Sequence, residues 1–325
     1  MNRFRAQRGI TLIELTVAMA IGLFLIGGAL YVYAQSKNAY RASDSLARLQ
    51  ESARFALDTL EPDIRLARYW GLNSEPARIV VPPAMAVNCG AVDMSAVALN
   101  LTEPVGIEDD AYNLVGCPAY KNAPRAGSDM LILRHAEPWK NGVRPGADGN
   151  RLQVQTTLAE GRLFKDINLP LAPAAGTNST NDVAINAYYV SNESSFDDSL
   201  PSLRRKSLDA NGRLADEEII PGVENLQVQF GVDTDRDGDV DRYVDRDQPL
   251  MTPGAPGYDP DAQVIAVRIW LLVGTPADDP AWVDGRSYAT PDADLGALVG
   301  GSADYPANFR RLQISKTIFL NNEGA

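Results

Sequence analysis

The sequence predicts an α+β protein, in which a long N-terminal α-helix packs by its second half on a C-terminal antiparallel β-sheet domain with long loops. Two observations predict this architecture. The first 70 residues carry helical patterns of apolar residues and one proline, Pro62. From about residue 72 onwards, clusters of Pro, Gly, Asn and Asp separate short apolar runs, which is typical of strands and turns. Few helical patterns separate these runs, so antiparallel pairing is favoured.

The N-terminal 33 residues predict a membrane anchor. Residues 1–9 carry three arginines and no acid, and residues 10–33 are apolar with a single charge, Glu14. At about 1.5 Å per residue, a helix over 10–33 is roughly 36 Å long and can cross a bilayer core of about 30 Å. The basic flank predicts a cytoplasmic N-terminus, with the rest of the chain on the far side of the membrane.

Glu14 distinguishes this segment from a plain anchor. A carboxylate inside a membrane helix costs about 2.5–3.5 kcal/mol on insertion scales, and a plain anchor has no use for it. Cleavage after Gly9 would place the new α-amine of Ile10 one helical turn from Glu14. The amine of a neighbouring subunit could also reach this carboxylate, and such pairing is strongest where the dielectric constant is low.

A stripe of apolar residues predicts that residues 34–70 continue the helix in amphipathic form. The stripe consists of Leu46, Leu49, Ala53, Ala56 and Leu60, extended by Ile64 and Ala67. Pro62 is expected to kink or interrupt the helix, because it cannot donate to the carbonyl of Asp58.

Residues 71–325 are predicted to form the β-rich domain. Its strands are expected near residues 130–133, 152–154, 183–190, 225–232, 264–273 and 312–320. The run 264–273 is nearly all apolar apart from Arg268, which predicts a central strand. The stretches 72–128, 166–181 and 275–308 are expected to be surface loops that serve contacts.

The composition excludes several classes of function. The 325 residues include 42 acidic and 30 basic residues, so the net charge of -12 argues against nucleic-acid binding. A single His argues against catalytic triads and His-rich metal sites, and two Cys cannot by themselves form a four-thiolate zinc site. There is no P-loop and no G-x-S-x-G motif, and no pair of acids stands out as catalytic. We therefore predict that the protein is not an enzyme, and that His135 is structural or exposed.

Cys89 and Cys117 are expected to form a disulfide. Both follow the membrane segment, which places them in a compartment where disulfides persist. The bond would pin the irregular stretch 72–128. The alternative is a pair of free buried thiols.

The segment 231–247 has the spacing of an EF-hand-type calcium loop. Its candidate ligands are Asp233, Asp235, Asp237, Asp239, Asp241 and Asp245. The first three occupy loop positions 1, 3 and 5, and Gly238 occupies position 6, where a sharp turn is required. Asp239 would offer its backbone carbonyl at position 7, and Asp241 would bind at position 9 directly or through water.

This loop departs from the EF-hand pattern at two points. Val244 stands at position 12 where a bidentate Glu is usual, although Asp245 follows it, and a strand rather than a helix enters the loop. The sequence therefore predicts a calcium-binding loop of modest affinity. The alternative is a solvated, Asp-rich hairpin turn.

The N-terminal segment RGITLIELTVAMAIG resembles the class III signal of type IV pilins and type II secretion pseudopilins. In that family, prepilin peptidase cuts after the Gly and methylates the new N-terminus. The resemblance implies cleavage between Gly9 and Ile10, with Glu14 as the acidic residue that guides assembly. Ile10 replaces the usual Phe but keeps the position large and apolar.

The rest of the chain resembles the PilW family of type IV pilus minor pilins. The segments that carry the resemblance are ARYWG, SDMLILRHA, AYYVSN, SLRRKSL, GVENLQVQFGVDTDRDGDVDRY and FRRLQISKTIFLNN. The resemblance implies a low-abundance subunit that primes pilus assembly, lies at the pilus tip and supports adhesion and twitching motility. It also implies an inner-membrane location with a periplasmic domain before assembly. The implied partners are other minor pilins, the major pilin, prepilin peptidase, the inner-membrane assembly platform and a large tip adhesin.

Three alternatives stay open at this point. The first is a J-type minor pseudopilin of a type II secretion system. The second is a calcium-dependent adhesin or sensor that uses a pilin-like anchor. The third is a membrane-anchored periplasmic enzyme, which a pocket of perturbed acidic residues would favour.

Overall fold

The computed structural model describes residues 11–73, 75–83, 85–137, 151–165, 179–246, 248–280, 282–292 and 295–320. The predicted cleavage junction of Gly9 and Ile10 and most of the predicted loop 166–181 lie outside these residues. The chain divides into two compact units, one ending at Arg48 and the other comprising Leu49–Ala325.

Helix α1 (Leu12–Leu66) is the main helix of the protein. Its N-terminal part is long and apolar enough to cross a membrane by length and composition. Large apolar side chains from Leu12 to Tyr33 are exposed, as a membrane-embedded segment requires. The expected interruption at Pro62 is not found, because the helix continues through Pro62 for four residues. Pro62 removes one backbone hydrogen bond near the end of the helix, while Leu60 and Ile64 on either side are fully buried.

The second half of α1 packs against the β-domain through the predicted stripe. Leu49, Ala53, Ala56, Leu60, Ile64 and Ala67 are all buried. They share a hydrophobic cluster with strand residues such as Val228 and Ile269. The three alanines have small side chains, which lets the helix backbone approach the sheet closely. Leu46, predicted to begin the stripe, lies in the first unit and is exposed.

Sixteen strands are defined in the described part of the chain. They are β1 (Ile79–Val80), β2 (Asn88–Cys89), β3 (Val92–Asp93), β4 (Val105–Glu108), β5 (Met130–Glu137), β6 (Gln153–Thr156), β7 (Gly161–Phe164), β8 (Ser179–Ser191), β9 (Ser202–Leu208), β10 (Leu214–Pro221), β11 (Val223–Asp233), β12 (Arg242–Val244), β13 (Gln263–Gly274), β14 (Ser287–Tyr288), β15 (Leu298–Val299) and β16 (Arg311–Phe319). A four-residue helix α2 (Ser95–Ala98) and 3-10 turns at Tyr120–Asn122 and Pro249–Met251 lie between them, and a further 3-10 turn, Pro76–Arg78, precedes β1.

Two large sheets organise the β-domain. The first has eight strands in the order β1-β7-β6-β8-β5-β4, and β9 joins β8 and carries β10. The second has the order β12-β11-β13-β16, so the apolar run in β13 is central, as its composition indicated. Among the described strands, the pair β1–β7 is parallel and the other pairs are antiparallel. The α+β class with antiparallel sheets is therefore confirmed.

The eight-stranded sheet is buried on both faces. On β5, Leu131 and Leu133 join the cluster that includes α1, whereas Met130 and Ile132 join a second cluster on the opposite face. Residues from the stretch predicted as the loop 72–128 form much of that second cluster, including Val87, Leu101 and Leu114. Apart from β1 and β4, which are strands of the sheet itself, this stretch is therefore a packed layer over the sheet, because each apolar face of a sheet needs a partner that excludes water.

Asp129, immediately before β5, connects the two large sheets. One carboxylate oxygen accepts the backbone N–H of Asp110 at 3.0 Å, and the other accepts that of Val228, in β11, at 2.7 Å. Burial raises the pKa of Asp129 to about 8, against the effect of these two hydrogen bonds.

A buried ion cluster attaches the segment 275–308 to the second sheet. Arg311 of β16 donates through Nε to Glu224 of β11 at 2.5 Å and through Nη1 to Asp284 at 3.1 Å. Tyr288 also donates to Asp284, at 2.9 Å. The Arg311 side chain is fully buried, so these charges are removed from water together.

Candidate functional site

Glu14 caps the N-terminus of α1 together with Thr11. The backbone N–H and the hydroxyl of Thr11 donate to Glu14 Oε2 at 3.0 and 2.9 Å. The N–H of Glu14 donates in return to Thr11 Oγ1 at 3.3 Å. This is a capping box that was not predicted, although its T-x-x-E signature is readable in the sequence. Glu14 thus has local partners in the uncleaved chain and would need to exchange them to bind a neighbour.

The rest of the N-terminal segment offers an apolar surface. From Leu12 to Tyr33, Glu14 is the single charged residue, and the large apolar side chains are exposed. Such a surface is stable in a bilayer or among similar helices, but not in water.

Cys89 and Cys117 form the predicted disulfide, with their Cα atoms 5.4 Å apart. Cys89 lies at the end of β2, which pairs with β3, and Cys117 is fully buried in the second cluster. Tyr112 donates its hydroxyl to the carbonyl of Cys117 at 2.6 Å. The bond therefore anchors the layer that covers the eight-stranded sheet.

The Asp-rich loop connects β11 to β12. Asp233 ends β11, and its carboxylate accepts the backbone N–H groups of Asp235, Arg236 and Gly238 at 3.1, 2.6 and 2.9 Å. Gly238 has a φ of 89°, which a residue with a Cβ rarely adopts. The sharp turn expected at the sixth loop position is thus present.

Three carboxylates of this loop converge. Asp233, Asp235 and Asp237 each offer a ligand oxygen within 4.8 Å of the others. The N–H of Asp237 lowers the pKa of Asp235, but the charges of Asp237, Asp241 and Asp233 together with desolvation outweigh it, so the pKa is raised. Mutual repulsion of this kind is relieved when a cation binds.

The remaining candidate calcium ligands lie outside this group of three. Asp241 accepts the N–H of Thr234 at 2.7 Å and its hydroxyl at 2.5 Å, and the side chain of Asp239 is exposed. Asp245 is buried beyond β12 and accepts from Gln248 at 3.4 Å. Val244 is buried opposite Phe230, so the twelfth loop position belongs to the hydrophobic core.

A second polar cluster lies beneath the end of α1 and was not predicted. Asp63 of α1 accepts from Asn186 Nδ2 at 2.6 Å and from the Tyr188 hydroxyl at 2.5 Å, both through Oδ2. His135 of β5 is fully buried, with its Nε2 3.6 Å from Asp63 Oδ1. Arg205 of β9 approaches the same carboxylate at 3.7 Å. Four elements distant in sequence contribute to this cluster, so no local pattern could have revealed it.

The fold and the N-terminal segment together define a pilin-like protein, with an apolar N-terminal helix that continues into an antiparallel β-domain. Residues 4–30 match the model of the prokaryotic N-terminal methylation motif, and residues 187–322 match that of the type IV pilus-assembly protein W family. The second match covers less than half of the chain, so the chain is similar to the type IV pilus-assembly protein W family in its C-terminal part and to pilin-type precursors at its N-terminus. The methylation motif and the apolar helix together indicate a membrane anchor.

One curated relative supports the same class. Pilin-like protein PilA3 of Thermus thermophilus is 29% identical over 91 residues, which cover 27% of this chain and 39% of the relative. The alignment thus spans about two fifths of that protein. No solved structure gives a significant match to the chain.

Proposed function

We propose that this protein is a minor pilin that helps to prime pilus assembly and lies at or near the pilus tip. One observation supports the proposal. An exposed apolar helical segment that matches a methylation motif is joined to a β-domain with its own hydrophobic core. The helix would hold the subunit in the inner membrane, with the β-domain in the periplasm, and then enter the helical core of the fibre. The partners would be other minor pilins, the major pilin, the assembly platform and a large tip adhesin.

Processing would prepare the helix for this transfer. Prepilin peptidase would cut between Gly9 and Ile10 and methylate the new N-terminus. Glu14 would then leave the Thr11 capping box and pair with the N-terminal amine of a neighbouring subunit. A charge pair inside a low-dielectric helix bundle favours the correct axial register, since a shifted helix would leave a buried carboxylate unpaired.

Replacing Glu14 tests the assembly step. The variant Glu14→Ala is expected to be cleaved normally, as read from the N-terminus by mass spectrometry, but to be lost from complexes purified with the other minor pilins. Glu51→Ala is the matched control, because Glu51 is exposed on the second half of the same helix. Equal recovery of partners with Glu14→Ala and wild type would refute the role of Glu14.

A J-type pseudopilin role is the nearest alternative, since both families share the N-terminal signal. Deleting the gene separates the two. Loss of surface pili with normal protein secretion supports the pilus role, whereas loss of secretion with normal pili supports the pseudopilin role. The recovered partners should belong to the same system as the lost activity.

We also propose that the Asp233 loop binds Ca²⁺. Ligand oxygens lie about 2.3–2.6 Å from a calcium ion, so two oxygens on one ion are at most about 5 Å apart. The oxygens of Asp233, Asp235 and Asp237 meet this limit, and the set contains only hard oxygen donors. Bound calcium would neutralise the repulsion in the loop and stabilise the adjoining β11–β12 hairpin.

Calorimetry and thermal melting of the full chain in detergent test this site. Calcium at millimolar concentration is expected to release or absorb heat and to raise the Tm. Asp235→Asn should remove both effects without unfolding the loop, because Asp233 holds the turn. Asp209→Asn is the control, since Asp209 accepts two backbone N–H groups in another exposed turn. A wild-type chain that shows neither heat nor a Tm shift would rule the proposal out.

A further inference from the structure

We propose that Asp63, His135 and Glu137 form a binding site for a divalent metal ion of the zinc class. Each residue offers a ligand atom, and the three atoms lie within 4.8 Å of one another. Alternation along β5 places His135 and Glu137 on the same face of the strand, which faces α1. One imidazole nitrogen and two carboxylates are a ligand set that zinc accepts.

The hydrogen bonding of His135 favours a cation beside it. Nδ1 lies 3.2 Å from the carbonyl oxygen of Ala136, which can only accept, so Nδ1 carries a proton. In the neutral imidazole, Nε2 then presents a lone pair. This atom is buried and has no hydrogen-bond partner. A backbone carbonyl on the second ring nitrogen is also the arrangement that orients metal-binding histidines.

The carboxylate of Asp63 is arranged in a complementary way. Its Oδ2 accepts from Asn186 and Tyr188, which leaves Oδ1 directed at His135 Nε2, 3.6 Å away. That separation is too long for a hydrogen bond. It suits two ligands of one tetrahedral ion, because bonds of about 2.0–2.2 Å place neighbouring ligand atoms roughly 3.4 Å apart.

Arg205 does not belong to Asp63 alone. Its guanidinium lies 3.7 Å from Asp63 Oδ2, and Glu217 binds the same guanidinium at 2.6 Å. A polar cavity of about 130 Å³, lined by Glu137, Asn186 and Arg205, lies beside the cluster and offers a path for the ion and a water ligand.

The ion would tie the last turns of α1 to the eight-stranded sheet. Asp63 belongs to the helix, and His135 and Glu137 belong to β5, so one ion would cross-link two elements that are far apart in sequence. Metal binding of this kind adds its free energy to the folded state alone. The site is separate from the Asp233 loop and uses a nitrogen ligand that calcium does not favour.

The test uses the full chain in detergent, freed of metal by chelator dialysis. Zinc is titrated by calorimetry and by metal analysis, and Co²⁺ serves as a spectroscopic probe of tetrahedral coordination. The wild type is expected to bind one Zn²⁺ per chain outside the Asp233 loop and to gain Tm. His135→Asn keeps a donor near the Ala136 carbonyl but removes Nε2, and should weaken zinc binding at least tenfold.

Two further variants separate a loss of zinc binding from a loss of folding. Glu137 is half-buried at the edge of the cluster, so Glu137→Gln should fold normally and still weaken zinc binding. Asp235→Asn, in the calcium-loop candidate, should bind zinc as the wild type does. The proposal is overturned if the wild type binds no zinc, if binding is lost in Asp235→Asn, or if Glu137→Gln and His135→Asn both bind as tightly as wild type.

Discussion

Breaking the Cys89–Cys117 bond should destabilise the β-domain by about 3.6 kcal/mol. The two residues are 28 positions apart, and closing a loop of that size restricts the unfolded chain by this amount in the chain-entropy account. The perturbation is reduction of the wild-type chain, which removes the covalent link and leaves both sulfur atoms in the protein. A second perturbation is the double variant Cys89→Ala/Cys117→Ala, which also removes the buried thiol of Cys117.

Urea unfolding of the full chain in detergent, oxidised and reduced, measures this difference. The double variant should lose at least as much free energy of unfolding as reduction does, because it also leaves a small cavity at residue 117. Limited proteolysis gives the location of the effect. New cleavage sites should appear first between residues 90 and 116, since this stretch forms the layer that the bond anchors.

A reduced chain that loses less than about 1 kcal/mol would refute this reasoning. It would mean that the covering layer is held by its apolar contacts alone, and that the loop is already restricted in the unfolded state. Cleavage that begins in the other sheet would contradict the assignment of the bond to this layer.

Two further predictions concern buried charges. Arg311→Met should cost about 3–5 kcal/mol, because it removes the arginine that binds the buried Glu224 and one of the two arginines that bind Asp284. Asp284 keeps Arg286 and Tyr288 as partners, so adding Glu224→Gln should recover part of the loss in urea unfolding. No recovery in the double variant would contradict the ion-cluster explanation. For Asp129, the pKa is raised to about 8 in the folded state, so the folded protein holds a proton that the unfolded chain releases near pH 4. The stability advantage of the wild type over Asp129→Asn, measured as the difference in their free energies of unfolding, should therefore decrease as the pH rises from about 4 to about 8. A difference that is independent of pH would show that Asp129 is ionised throughout.

Much of the architecture follows from local patterns. The helix, its apolar stripe and the central strand β13 were predictable, because each depends on a period of 3.6 or on a continuous apolar run. Pro62 was predicted to kink or interrupt the helix, and the helix is not interrupted there, since the buried Leu60 and Ile64 hold it on either side of the missing hydrogen bond. The disulfide followed from having two cysteines beyond a membrane segment. Cleavage after Gly9 and calcium binding by the Asp233 loop stay predictions.

The sequence by itself determined the N-terminal signal, the Asp spacing and the class of fold, because neighbouring residues along the chain specify them. Tertiary structure alone decided that the stretch 72–128 is a packed layer and that His135 meets Asp63. Both depend on the order and register of strands, which bring together residues 72 positions apart in the case of Asp63 and His135. A contact between residues so far apart produces no repeating pattern in the sequence. Whether the two residues meet depends on how all the elements between them fold.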